Sequence, residues 1–268
     1  MSCETASVGQ SSRAKWLDIL KEVGIILGVY LVYSISRGTI DEKAALAFQH
    51  ARDVIEWETA LGIFVELDIQ TFFLKSSFLT DLVNGIYTYA YYPALVGFAI
   101  WGYWRHRKKY KFVRTVFVVS AVFAFIAFAL YPCAPPRFFD GVNGGEDLGF
   151  VDTMTVNGGA HYGSIAAFYN PYAAMPSCHF GWSLMVCVAI FWMTTAWWGR
   201  LLAVLLPTGQ LIAIVATGNH FILDAVGGVA LLAMALGVTL LAMKLASRVK
   251  SEGREFVPET GLEEPPPY

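Results

Sequence analysis

Residues 218–243 read GNHFILDAVGGVALLAMALGVTLLAM. From Val226 to Met243 no charge interrupts the run, which closes at Lys244. With its leading turns the segment reaches the roughly 20 residues that a helix needs to cross a hydrocarbon layer. Its opening is of another kind. His220 and Asp224 stand four positions apart, so a helix presents them on one face, one turn apart. A carboxylate so placed accepts the imidazole N–H, fixes the tautomer and raises the basicity of the other ring nitrogen. The plainer reading is an interfacial histidine and a buried aspartate paired for stability. An ionisable group inside an apolar stretch nevertheless points to function, because lipid makes it costly to keep.

Working outward, the rest of the chain repeats the apolar theme. Its 268 residues are 56% hydrophobic and 15% aromatic but only 15% charged, with a mean hydropathy of +0.51. Soluble domains carry about 25% charged residues. The net charge of −2 offers nothing to a polyanion, so no nucleic-acid partner is expected, and disordered, collagen-like and disulfide-framework classes are excluded. Spanning length is also reached, fully or nearly, by Phe78–Trp104, Phe112–Tyr131, His179–Trp198 and Leu201–Thr217, alongside Phe221–Met243. A sixth segment, Trp16–Ser36, is weaker: its apolar run Val23–Ile35 is short, and Asp18, Lys21 and Glu22 sit on its leading edge. The alternative for that segment is a cleaved signal peptide ending near Ser34-Ile35-Ser36. The expected fold is all-α and polytopic, with six transmembrane helices.

Basic residues set the orientation. Arg105–Arg114 (RHRKKYKFVR) holds six Lys/Arg in ten positions and is predicted to be cytoplasmic. Arg13 and Lys15 precede the first segment, and Lys244, Arg248, Lys250 and Arg254 follow the last. Six crossings put all of these on one face, with both termini inside. Residues 1–15 are then a cytoplasmic N-terminus, 16–246 a single membrane catalytic domain, and 247–268 a charged, Pro-rich, disordered cytoplasmic tail. On the outer side, segment 39–77 reads as one or two amphipathic helices. The outer loop 132–176 is Gly- and Pro-rich, and connections longer than about 12–15 residues are often functional.

Three outer-face motifs carry chemistry. Asn170–Ser183 (NPYAAMPSCHFGWS) begins an apolar helix, with Pro176 suited to its first turn, Ser177 to its cap, and the N–H groups near Ser177, Cys178 and His179 turned outward. Such a terminus is a ready anion site, although a capped helix with an interfacial His has the same appearance. Tyr131–Phe139 (YPCAPPRFF) holds Arg137, the one Lys/Arg of the outer loop. Arginine grips phosphate through a planar fork, or it can simply meet lipid headgroups. The pair His220 and Asp224 completes the set. One cation, one helix N-terminus, two His and an orienting Asp suit phosphoryl transfer through a histidine nucleophile. The sequence has no acidic cluster for two metals, no P-loop, no GxSxG and no HExxH, so neither a metal nor another cofactor is expected.

Pro176-Ser177-Cys178-His179 and His220-x3-Asp224 resemble the second and third motifs of the type 2 phosphatidic acid phosphatase superfamily, which shares its catalytic core with the vanadium haloperoxidases. That pattern runs Lys-x6-Arg-Pro, Pro-Ser-Gly-His, then Ser-Arg-x5-His-x3-Asp. APPR and NPYAAMPSCHF are most similar to its inositol phosphotransferase branch, which includes inositol-phosphorylceramide synthases. The chain departs from the pattern at Leu130, where the first motif has Lys, at Phe138, where it has Pro, and at Ile214, where the third has Arg. Cys178 stands in the Gly place. The resemblance implies that His220 attacks phosphorus to give a phosphohistidine, Asp224 holds its ring, and His179 protonates the leaving alkoxide and then deprotonates the acceptor. Arg137, Ser177 and the N–H groups from Ser177 through Cys178 hold the phosphoryl oxygens. The substrate is a lipid phosphate or phospholipid at the extracytoplasmic or luminal face. Water as acceptor makes a phosphatase, and an alcohol or polyol makes a transferase. Two rivals stand beside this reading: an enzyme of prenyl phosphates or diphosphates, and a membrane scaffold that kept the fold and lost activity with its cations.

Smaller signals have plainer readings. Cys133 and Cys178, both on the outer side, are read as free thiols rather than a bridge. His161 is read as a solvated loop residue, and His50 and His106 as surface residues. Tyr87, Tyr89, Tyr91 and Tyr92, with Asn84, are read as an interfacial belt and helix packing rather than a substrate pocket. Pro265, Pro266 and Tyr268 form a PPxY sequence of the kind that docks WW domains.

Overall fold

A computed structural model describes residues 16–25, 27–29, 31, 43–156 and 170–255. In chain order the helices are α1 Ala44–Leu61, α2 Glu66–Leu74, α3 Ser77–Gly85, α4 Tyr91–Arg105, α5 Arg107–Leu130, α6 Thr153–Val156, α7 Cys178–Met193, α8 Trp197–Ala216 and α9 Ile222–Glu255. Residues 16–25 are helical as well. No strand occurs among the described residues, in keeping with the all-α expectation.

Among the described residues, three helices are long and apolar enough to cross a membrane: α5, α8 and the Ile222–Val249 part of α9. The other expected crossings take different forms. Helix α7 is apolar but 16 residues long. The stretch 78–104 is one helical run from Ser77 to Arg105, divided into α3 and α4 by a π turn at Ile86–Ala90. Of the expected Trp16–Ser36 segment, residues 32–36 fall outside the described residues. The surface agrees with a lipid surrounding: Leu201, Leu205, Leu241 and Met243 are exposed, whereas Glu58, Glu66, Gln210 and Asp224 are buried. In lipid the polar groups must be satisfied inside.

Helix α7 packs between α8 and α9, and α9 lies along α5. The α7–α9 contact depends on two glycines. A Cβ at Gly228 would overlap the Ser177 carbonyl oxygen, and one at Gly181 would come within 2.9 Å of the Gly228 carbonyl. Small residues of this kind let membrane helices approach backbone to backbone. Trp182 Nε1 donates to Ser120 Oγ at 3.0 Å and ties α7 to α5. At the other end, Asp18 pairs with Arg107 and Lys111, and Glu22 with Arg114, so the charges on the leading edge of the N-terminal helix meet the basic start of α5. The amphipathic segment forms α1 and α2. Ala47, Phe48, Ala51 and Val54 of α1 join a core with Cys133, Phe139, Ala174 and Phe221.

Because the atom met by a Cβ at Gly228 is backbone, no rotamer change relieves it. Gly228→Ala is expected to destabilise the fold by about 1–3 kcal/mol, read as a lowered thermal midpoint in detergent. An unchanged midpoint would show that α7 and α9 do not need this approach.

Candidate active site

Ser177 is the N-cap of α7: its Oγ accepts the Phe180 N–H at 3.4 Å, and its carbonyl accepts the Gly181 N–H at 3.0 Å. Pro176 lies before the cap rather than in the first turn, packed against Gly227, whose Cβ would meet it at 3.3 Å. The Ser177 N–H donates to the Asp224 carbonyl at 2.8 Å, so the starts of α7 and α9 are joined through backbone. Among the described residues, the N–H groups of Cys178 and His179 have no acceptor. The Cys178 side chain packs toward Phe128, Ala124 and Leu231, leaving only its backbone to face an anion.

His179 stands at the second position of α7 with its ring against two tyrosines, Tyr87 at 4.6 Å and Tyr91 at 4.3 Å between centroids. Both belong to the π turn and the residue after it, and such turns are frequent at functional sites. The Tyr91 hydroxyl also donates to the Cys178 carbonyl at 3.3 Å. The belt reading therefore fails for Tyr87 and Tyr91, which are buried and hold His179, and it suits Tyr89 and Tyr92, which are exposed. The widened turn aims Tyr87 and Tyr91 inward, and sequence spacing does not reveal it. Asn84 exchanges hydrogen bonds with Thr153, its amide donating to the carbonyl at 3.0 Å and its Oδ1 accepting from the hydroxyl at 2.8 Å.

His220 follows the C-terminus of α8. The Asn219 and His220 N–H groups both donate to the Ile214 carbonyl, at 2.9 and 3.0 Å, and the chain reverses at Gly218, whose φ is +66°. A left-handed glycine is the usual end of a helix, and here the space requires it too. A Cβ at Gly218 would come within 3.1 Å of the Arg137 Cβ and 2.9 Å of Gln70 Nε2. The Gly218 carbonyl accepts the Arg137 N–H at 2.8 Å, binding the loop that bears Arg137 to the turn that bears His220. His220 Nδ1 lies 2.7 Å from the Ala174 carbonyl oxygen and 3.4 Å from Asp224 Oδ2. A carbonyl only accepts, so Nδ1 carries a proton, and in the neutral ring Nε2 keeps its lone pair. The His179 and His220 ring centroids are 5.9 Å apart.

Arg137 is the one buried Lys/Arg among the described residues, at 2% exposure. Its Nε is 3.6 Å from Asp152 Oδ2, and its guanidinium lies 4.9 Å over the Phe138 ring. The two positions that lack the family's cations fall differently. Leu130, at the end of α5, is exposed, so a lysine there would point away from this cluster. Ile214 is fully buried and serves through its carbonyl.

Several contributors escaped the sequence reading. The Ala174 carbonyl is one, since every residue has a carbonyl. Asp152 is another. Glu58 Oε1 accepts the Leu223 N–H at 2.7 Å, and Glu66 Oε1 accepts the Ile222 N–H at 2.9 Å. A signal existed for Glu58: Ala47, Ala51 and Val54 recur at helical spacing, and Glu58 continues their apolar stripe. His50 is corrected too. It is half-buried, with Nδ1 2.8 Å from the Pro132 carbonyl oxygen and its ring stacked on Tyr131 at 3.9 Å, bracing the loop before Arg137. Cys133, Cys178 and Cys187 are unbridged. His161 and the PPxY sequence lie outside the described residues. Among the described residues, no group of three or more His, Cys, Asp and Glu is placed to hold a metal ion.

No curated protein and no solved structure matches the chain. A family model does: that of the PAP2 superfamily, over residues 52–238, a stretch that takes in Arg137, Ser177, His179, His220 and Asp224. The match supports an enzyme of phosphatase type, and the chain belongs to the PAP2 superfamily.

Proposed function

We propose that the protein is a metal-independent lipid phosphatase or phosphotransferase that works through a phosphohistidine on His220, of the inositol phosphotransferase branch. The observation that carries the reading is the state of His220: its Nδ1–H is committed to the Ala174 carbonyl, which leaves the Nε2 lone pair for phosphorus. Nε2 attacks, the N–P bond forms, and the bond from phosphorus to the leaving oxygen breaks. His179, held against Tyr87 and Tyr91, gives that oxygen its proton. It then takes the proton of water or an alcohol, whose oxygen attacks phosphorus and releases His220. Arg137 and the Cys178 and His179 N–H groups supply positive potential for the phosphoryl oxygens. Ser177 acts through its backbone as the joint between α7 and α9.

A crevice of about 850 Å³ supports a lipid as the substrate. It runs between α4, α7 and α8, from Ile86 and Gln210 beside the π turn to Arg105 and Trp198, and Phe98, Val186, Ile190 and Leu206 make its walls apolar. Its volume lies within the roughly 300–1,000 Å³ of small-molecule sites, and its end at Ile86 adjoins Tyr87, which touches His179. Six crossings, with cytoplasmic termini and the two histidines at the outer face, accommodate this arrangement. The basic start of α5 and the π turn then fall at opposite ends of the bundle.

In EDTA, with radiolabelled lipid phosphates, the wild type should form an acid-labile phosphoprotein and release phosphate or transfer it to an added alcohol or inositol. His220→Ala should lower turnover by on the order of 10³-fold or more and abolish the label; undiminished turnover ends the mechanism. Filling the crevice should separate chain binding from chemistry. Gly97→Phe places a ring where a Cβ meets open space. It is expected to raise KM for a long-chain lipid by about tenfold while sparing kcat for a short-chain analogue. Equal effects on both substrates would exclude the crevice as the chain site.

A further inference from the structure

We infer that Glu58 and Glu66 form a carboxyl pair sharing one proton, and that this pair positions His220 and Asp224 by clamping the first turn of α9. The inference rests on the phosphohistidine reading for its kinetic consequence, and on the placement of two buried carboxyls at adjacent N–H groups for the shared proton.

Glu58 lies near the end of α1 and Glu66 opens α2, and both side chains are fully buried. Each spends one oxygen on α9: Glu58 Oε1 accepts from Leu223 N–H and Glu66 Oε1 from Ile222 N–H. Asp224 Oδ2 accepts the preceding N–H, that of Phe221, at 2.8 Å. Three consecutive N–H groups of one helix start are therefore taken by three different carboxyls. The remaining oxygens, Glu58 Oε2 and Glu66 Oε2, are buried and have no hydrogen-bond partner among the described residues. Two buried carboxyls fixed on adjacent N–H groups of one turn thus each keep one orphaned oxygen. A single proton held between the two carboxyls lets one donate to the other and satisfies both orphaned oxygens, so the pair holds one.

The charges around the pair favour that proton. Burial, followed by the hydrogen bond with Glu66, pushes the Glu58 carboxyl up to about 9, and Glu66 and Asp224 add negative potential. The loop after α5 contributes Cys133, which interacts with Glu58 as a further acid, and α1 contributes Asp53 nearby. His220 lies beyond Asp224. At neutral pH the pair carries one negative charge. As pH rises through about 9 that proton leaves, and two buried like charges repel. The N–H groups of Ile222 and Leu223 then lose their fixed acceptors, and the turn bearing Asp224 is released from its place against His220.

The burial is costly. Folding stability contributed by a carboxyl with a raised value falls as pH climbs from its ordinary range toward the raised one, because the native state keeps a proton that the unfolded chain gives up. An apolar or amide side chain would avoid that loss. What the pair supplies in return is a fixed geometry for the segment 221–224. Outer partners that orient the ligands of metal sites alter activity by about 10–100-fold, and this clamp acts at the same remove from the reacting atoms.

The test uses the full-length protein in detergent micelles and two readouts. In infrared pH-difference spectra, the wild type should show a protonated-carboxyl band at neutral pH that disappears near pH 9, and Glu58→Gln should lack it. In kinetics, Glu58→Ala should lower kcat on the order of tenfold with little change in KM. Glu58→Gln, whose amide donates to Glu66 and accepts from Leu223 without ionising, should restore most of that loss. It should also lack the wild type's fall in kcat near pH 9. The inference is overturned if the band is absent, if Glu58→Gln keeps the alkaline fall, or if Glu58→Ala turns over like the wild type. Should Glu58→Ala fail to fold, the pH profile of Glu58→Gln decides. A wild type that transfers phosphate from no lipid would overturn the proposed function and the positioning role with it, while the band still reports whether the pair holds its proton.

Discussion

The start of α9 is the constraint on which the site depends. A helix leaves its first N–H groups without intrahelical acceptors, and here that end is buried, so each group needs a partner from the protein. Phe221, Ile222 and Leu223 find theirs in Asp224, Glu66 and Glu58. Meeting this need brings α1, α2 and α9 together. The Asp224 carbonyl then takes the Ser177 N–H and so locates the start of α7. His220, immediately before the turn, and His179, just inside α7, face each other because both are attached to this one joint.

The joint also explains which parts of the molecule the sequence discloses. Lipid is a demanding solvent, and the long apolar runs that become α5, α8 and α9 are visible at once, as are the His220 and Asp224 spacing and the Ser177 cap. These signals are local, set by periodicity and by caps. The partners of His179 and His220 are not. The Ala174 carbonyl has no residue-type signature. Tyr87 and Tyr91 are turned inward by a π turn that the spacing does not mark. Glu58 and Glu66 look like ordinary charges of an amphipathic stretch until the fold buries them. Division of the 78–104 stretch has the same origin, since a widened turn leaves the composition of a run unchanged.

The phosphate-binding side shows how a family pattern can lose cations and keep its geometry. At Ile214 the family's arginine is absent, yet the position still anchors the histidine, because its carbonyl receives the Asn219 and His220 N–H groups. Leu130 faces outward. Of the family's basic residues, Arg137 is the one kept in the cluster, fixed to Gly218 through its backbone and held near Asp152 through its side chain. A single guanidinium beside helix N–H groups suits one phosphoryl group better than a diphosphate, whose larger charge would need more positive potential than this site provides.

That shortage of positive charge gives the carboxyl pair an electrostatic meaning as well as a geometric one. Asp152, Asp224, Glu58 and Glu66 all cluster around a region whose one buried Lys/Arg among the described residues is Arg137. Were every carboxyl ionised, their combined field would oppose the approach of any phosphate, and burial would screen it far less than water does. Keeping Glu58 protonated removes one of those charges without removing a hydrogen bond, because a carboxyl still accepts from Leu223 while donating to Glu66. An amphipathic segment that the sequence assigns to the outer surface thus sets the field in which His220 works. It does so by holding a proton rather than by touching the substrate.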